Sequence, residues 1–273
     1  MSPFDLTNLA ALKAWLGLPP TPGPSDATLS ALVTAASRSI YAALSRPSLL
    51  PFSYSETIDL ETNRVTLRHW PVLQVTSVKC RGIAVPRDEN ADLDASVGYA
   101  LERNDGVPPG RPQTLDLFGR HYPSGRQSLV VSYSAGYAIQ NEVQAVPAAA
   151  PMQLSAFSPY GLWGSDLGLT YATTGAPLTA VSASPGAGRY LVSAGTYGFS
   201  AADAGQPVSI SYGYVPQDIA QAALELAAER FRAADHIGLK SKSIGGQETI
   251  AYDTSAMSAP IQAMLQPYKR VIV

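Results

Sequence analysis

Apolar residues recur at helical spacing near both ends of this chain and at alternating spacing through its middle. That change of period restricts the possible folds more than any single motif does. Near the start, Leu29, Leu32, Val33, Ala36, Ile40 and Leu44 fall on one helical face. Ser25 or Asp26 caps this helix, and Arg46-Pro47 ends it. Ahead of it, Thr7 can cap a short helix from about Asn8 to Leu16, which the PPTPGP run at Pro19–Pro24 stops, so the two read as a helical hairpin. Toward the other end, Val215-Pro216 opens a helix over about Gln217–Ala234, with Ile219, Ala222, Ala223, Leu226, Ala227 and Phe231 on one face. A last short helix is expected over Ala259–Tyr268, and Lys269–Val273 can form a terminal strand.

Between these blocks the period is two. SETIDLE, RVTLRHWPV and VTSVKCRGIAV are each closed by turn residues, and the pattern runs on to SLVVSYSAGY, which ends at Tyr137. The stretch Ala145–Ser165 is rich in Ala, Pro and Ser and only weakly periodic, so it reads as linker or loop. Further strands follow to Tyr214. VVSYSAGY at Val130–Tyr137 resembles VSISYGY at Val208–Tyr214, which reads as a duplicated or inserted β-module, although edge strands of any β domain also look like this. The expectation is an α+β protein whose helical body, an N-terminal helical hairpin plus a long C-terminal helix, carries antiparallel β-modules. One domain would comprise 1–137 and 215–273, and 138–214 would be the inserted module.

At 273 residues the chain can bury a core without covalent staples. Lys+Arg 19 against Asp+Glu 21 leaves a net charge of −2, which excludes the cationic surplus that binding to phosphate backbones needs. Cys80 is the single cysteine, so neither a disulfide framework nor a Cys/His metal cluster is expected. The N-terminus has no basic leader region, and no apolar run approaches the roughly 18 residues a membrane span requires. The reading is a soluble protein made in the cytoplasm.

Signatures of catalysis are missing. There is no G-x-S-x-G elbow, no phosphate-cradling G-x-x-x-x-G-K and no H-E-x-x-H, and GAGRY at Gly186 reads as a hairpin turn. His69, His121 and His236 are scattered. Asp88, Glu89, Asp92 and Asp94 lack calcium-loop spacing and read as a solvated loop. No enzyme activity, metal or cofactor is expected. Trp15 and Trp70 read as core or ring-interface anchors and Trp163 as the exposed one. Tyr160, Trp163, Tyr171, Tyr190 and Tyr197 are of the type that sugar platforms use, against the plainer reading that they pack between strands.

The run GLKSKSIGGQETIAYDTSAMS, Gly238–Ser258, is polar and lacks the histidine or cysteine that a catalytic loop would bring beside its acids. Gly245-Gly246 forms a flexible joint, and Thr249, Ile250 and Tyr252 favour an extended strand that can add to a sheet edge on a partner. The segment reads as an arm.

Three stretches, LTNLAALKAWLGLPP, DATLSALVTAASRSIYAALSRPSLL and HWPVLQVTSV, resemble the N-terminal half of the head-tail connector (adaptor) proteins of tailed double-stranded DNA bacteriophages. VPQDIAQAALELAAERFRAADHIGLKSKSIGGQETIAYDTSAM with IQAMLQPYKR resembles the end of the same family more specifically, because helix, glycine arm and closing helix come in order. The stretch 138–214 departs from the short family pattern. The resemblance implies a structural virion protein at the neck, made in the host cytoplasm, that forms a ring of about twelve copies around the DNA channel. It further implies that the ring joins the portal protein to a stopper or tail-completion protein. On that footing Lys240, Ser241, Lys242, Gly245, Gly246, Glu248, Thr249, Ile250 and Tyr252 are candidates for portal binding, and Ala222, Ala223 and Phe231 for the ring interface. Another oligomeric neck or tail component, or an adhesion module that binds carbohydrate, is the alternative.

Overall fold

The computed structural model describes residues 4–88, 97–102, 110–119, 122–234, 241–244, 248–251 and 257–270. Contacts divide the chain into two units. One comprises Met1–Pro47 with Pro216–Lys269, the other Ser48–Val215 with Arg270–Val273.

The first unit holds the helices α1 (Leu9–Trp15), α2 (Asp26–Leu44), α3 (Gln217–Ala233) and α4 (Ala259–Leu265). Asn8, not Thr7, caps α1: its side chain accepts a hydrogen bond from the Ala11 N–H at 2.8 Å, while Thr7 is buried. The Lys13 ammonium is almost fully buried, donating to Asp26 at 2.8 Å and to the Thr21 carbonyl at 2.5 Å, so one ion pair fixes the Pro-rich turn between α1 and α2. Leu29, Val33, Ala36, Ile40 and Leu44 form the buried stripe that the period of α2 predicts, and Ser45 ends it in the left-handed conformation at φ 53°. Helix α3 packs against α2 and α4, with the Arg230 guanidinium donating to the Ser39 hydroxyl at 2.8 Å and the Tyr268 hydroxyl to Asp218 at 3.1 Å. Between α3 and α4 lie the strands β15 (Ser241–Ile244) and β16 (Glu248–Ala251), which pair antiparallel as a two-stranded sheet.

Among the described residues of the second unit the regular elements are strands, apart from one 3-10 turn at Ala201–Asp203. Its first part contains β1 (Phe52–Leu60), β2 (Arg64–Thr66), β3 (Val72–Cys80), β4 (Ile83–Val85), β5 (Gly98–Leu101), β6 (Thr114–Phe118) and β7 (Gly125–Ala135). These form one sheet of order β1-β7-β3-β4 and another of order β2-β6-β5, with a core around Leu67, Val78, Leu115, Leu129, Val131 and Tyr133. Strands β1 and β2 follow one another through the short turn Glu61-Thr62-Asn63, yet they do not pair. β1 bonds to β7 and β2 to β6.

The second part contains β8 (Ala138–Ala145), β9 (Gln153–Ser155), β10 (Gly161–Tyr171), β11 (Pro177–Ala180), β12 (Arg189–Ser193), β13 (Thr196–Phe199) and β14 (Pro207–Pro216), in one sheet of order β8-β14-β10-β11-β12-β13-β9. The sheet curls toward a barrel. Its end strands are bridged by side chains: Gln144 donates to the Ser155 carbonyl at 2.9 Å, and the Phe157 N–H donates to Glu142 at 3.1 Å. A separate core fills it, built on Leu169, Tyr190, Tyr197, Val208, Ile210 and Tyr212.

Two expectations are corrected. The protein is mostly β, not a helical body with a long C-terminal helix carrying β-modules, because among the described residues strand outweighs helix and no α-helix falls in the larger unit. The stretch Ala145–Ser165 is not a linker, since it contains β9 and the start of β10. Glycines and prolines conceal those strands from any periodicity test, and pairing with distant segments is what makes them strands.

Candidate functional site

Two features bear on the candidate residues: the C-terminal hairpin of the first unit, and a groove in the second. In the hairpin, Ser241 pairs with Ala251, Lys242 with Ile250, Ser243 with Thr249 and Ile244 with Glu248. Of the arm candidates, Ser241, Lys242, Glu248, Thr249 and Ile250 therefore sit on paired strands, whereas Lys240, Gly245, Gly246 and Tyr252 lie outside the described residues. The sheet contains these two strands alone, so each keeps one outer edge without a strand partner among the described residues.

Ala222 and Ala223 are fully buried within the chain, and Phe231 is half-buried. The close approach that alanines allow is used inside the subunit, where α2, α3 and α4 meet. Beside α2 lies a cleft of about 440 Å³ lined by Thr34, Arg38, Tyr41 and the exposed Phe4.

The groove in the second unit lies where β1 and β2 diverge. Its volume is about 610 Å³, and Thr57, Asp59, Glu61, Arg64, Thr66 and Arg68 line it. The Arg64 guanidinium donates to both carboxylate oxygens of Asp116, at 2.6 and 3.0 Å, so its charge is neutralised beside the groove. Asp59 accepts from the Gln127 N–H at 2.6 Å, and Glu61 is exposed. Next to the groove, the buried Glu56 carboxylate ties β1 to neighbouring segments. It accepts from the Tyr133 hydroxyl at 2.7 Å and the Arg68 N–H at 3.4 Å, and it lies 3.5 Å from His69 Nε2. The His69 ring stacks on Tyr54 with centroids 3.8 Å apart. Burial, then the hydrogen bond to Glu56, pushes the Tyr133 hydroxyl far above its ordinary pKa. The sequence carried a signal for the groove in the charged turn between two alternating runs, but turn chemistry alone reads as a closed hairpin.

The aromatic candidates of the barrel-like seven-stranded sheet are committed internally. Tyr190 and Tyr197 are buried, both donating to Asp166, at 2.5 and 3.3 Å. The half-buried Trp163 donates to the Tyr197 hydroxyl at 3.1 Å. Tyr171 donates to Asp203 at 2.5 Å. Tyr212 donates to Glu142 at 2.6 Å, and its pKa is pushed up to about 12, by burial first and by that hydrogen bond second. Trp70 is in the core, whereas Trp15 is exposed. Among the described residues no group of three or more His, Cys, Asp or Glu is placed to hold a metal, and no helix is long and apolar enough to cross a membrane. His121, His236, Glu89, Asp92 and Asp94 lie outside the described residues; Cys80 is buried.

No family model matches the chain, and no curated protein matches it. Among solved structures, a chain from the neck of an empty GTA particle computed with C6 symmetry is similar to it. The match spans 100% of this chain and 94% of that one at 16% identity, with a TM-score of 0.41. At that TM-score the likeness carries no conclusion about what this chain does.

Proposed function

We propose that this chain is a non-enzymatic structural protein of a phage-type virion neck, an adaptor that forms a ring on the portal vertex and hands on to a stopper or tail-completion protein. One observation supports this most. The helical segments that resemble the adaptor family come from opposite ends of the sequence, 6–47 and 216–269, and fold together as one unit, with the whole of Ser48–Val215 between them. Within that unit, α3, the hairpin and α4 follow one another in the order that the resemblance rests on.

In this reading the hairpin is the arm. Strand β16, with Glu248, Thr249 and Ile250, offers its outer edge to a sheet on the portal, and the flanking Lys240, Gly245, Gly246 and Tyr252 belong to the same contact. Main-chain hydrogen bonds would supply the affinity and the alternating side chains the specificity. The test is a mixture of the full-length protein with purified portal rings, viewed by negative-stain microscopy and weighed by native mass spectrometry. A closed ring of copies on the portal is expected, and it should be absent when 240–252 are replaced by a Gly-Ser linker that leaves the packed helix α4 in place. Failure of the intact protein to bind the portal would refute the reading. The buried hydroxyls of Tyr190 and Tyr197 do not favour a sugar platform.

A further inference from the structure

Trp15 ends α1 with 48% of its surface exposed. The chain around it is uncharged: Lys13 is the one charged residue of 8–24, and it is buried against Asp26. Ala10 and Ala14 before the tryptophan and Gly17, Pro19 and Pro20 after it are all exposed. A charge-free surface around an exposed tryptophan has the composition of an interface core, where Trp contributes binding energy out of proportion to its number.

The same helical unit has a cleft that fits such a knob. About 440 Å³ in volume and mostly apolar, it is lined by Phe4, Tyr41, Ala42 and Pro47, with Arg38 and Arg46 beside them. The Leu6 N–H donates to the Ser37 hydroxyl at 2.9 Å, which holds the N-terminal segment against the second half of α2 and builds the wall of the cleft. Two arginines against one acid, Asp5, leave a cationic surplus in it. The face of an indole attracts a guanidinium more strongly than the face of Tyr or Phe does, so an apolar cleft flanked by arginine suits tryptophan.

Trp15 is out of reach of the cleft of its own chain. The Lys13–Asp26 pair fixes the end of α1 beside the start of α2, whereas Tyr41 lies about 22 Å further along α2 at roughly 1.5 Å per residue. Knob and cleft therefore sit toward opposite ends of the α1–α2 hairpin, and joining them takes two chains.

We propose that Trp15 of one copy inserts into this cleft of a second copy, packing on Phe4 and Tyr41 with Arg38 over its ring. The contact joins different surfaces of the two copies, so its repetition closes a ring or extends a filament. It rests on the ring reading above and deepens it by naming a contact between neighbours.

The experiment uses the full chain, alone and on purified portal rings, with association read by light scattering and by the number of copies bound. Trp15→Ala removes the knob and Ala42→Trp fills the cleft; both positions are exposed, so each variant should keep the wild-type Tm. Each should weaken association between copies tenfold or more, roughly the loss of one hot-spot residue, and Arg38→Ala should weaken it severalfold. A mixture of the Trp15→Ala and Ala42→Trp chains retains one intact knob and one intact cleft per pair. It should therefore give a one-to-one dimer and nothing larger, a recovery that also shows both chains folded. Normal association by both variants would overturn the contact and leave the ring reading standing. Variants that associate normally with each other but no longer bind the portal would place the patch or the cleft at the portal and overturn it equally. No association of the intact protein in either setting would remove the ring reading and this contact together.

Discussion

The Tyr214 N–H donates to the Tyr137 carbonyl at 3.1 Å, and the two rings meet edge to face with centroids 5.7 Å apart. These tyrosines end the two similar runs VVSYSAGY and VSISYGY, and the glycine before each lies against the same Leu50–Pro51 segment. A Cβ on Gly136 would sit 2.5 Å from Pro51 N, and one on Gly213 would sit 2.7 Å from Pro51 Cδ. Both positions therefore need glycine, because backbone and proline approach where any side chain would collide.

That contact supports a deletion. Tyr137 and Tyr214 are already cross-strand neighbours, and the barrel between them has its own core, so replacing 138–213 by Asn-Gly should close a two-residue hairpin. A soluble protein with cooperative thermal unfolding and retained portal binding is expected. Insoluble protein would show that the two cores fold as one.

Ala223 is fully buried in the subunit, so Ala223→Glu should destabilise the fold by roughly 3 kcal/mol or more, by burying an unpaired carboxylate. Chemical denaturation measures this directly. A stable monomer that fails only in ring assembly would instead place this face at the ring interface.

Glu56 holds the Tyr133 hydroxyl and the Arg68 N–H in a buried setting. Glu56→Ala should cost about 1–3 kcal/mol by stranding the tyrosine hydroxyl, and Glu56→Gln should cost less. The shift of the urea midpoint at constant slope is the measurement; equal losses in the two variants would exclude the hydrogen bond as the cause.

Acid should loosen the barrel-like sheet through Asp203. Burial disfavours its charge, but hydrogen bonds from Tyr171, Ser200 and the Gly188 N–H outweigh burial and hold its pKa below the ordinary 3.8. A depressed carboxylate pKa contributes stability that is complete above the unfolded value and is lost as pH falls from there through the folded value. The wild-type Tm should therefore exceed that of Asp203→Asn at neutral pH, and the difference should shrink as pH drops below about 4. A difference that stays constant with pH would exclude the linkage.

The helical stripes were legible in the sequence because local period and capping determine them: α2 and α3 lie within a residue or so of where Leu29 to Leu44 and Ile219 to Phe231 place them. The turn-bounded alternating runs likewise announced β1 and β3. Which strands pair was decided only by the tertiary structure. Nothing in SETIDLE and RVTLRHWPV says that β1 and β2 avoid each other, and β9 and β10 sit in a stretch whose glycines and prolines hide any period. Whether alanines at helical spacing face a neighbour or their own subunit is equally invisible to period, and burial decided it for Ala222 and Ala223. The reason is physical: a helix closes its hydrogen bonds within itself, whereas a strand's donors and acceptors are satisfied by residues that may lie far away in sequence. The groove beside Asp59 and Glu61 exists because of that non-local choice.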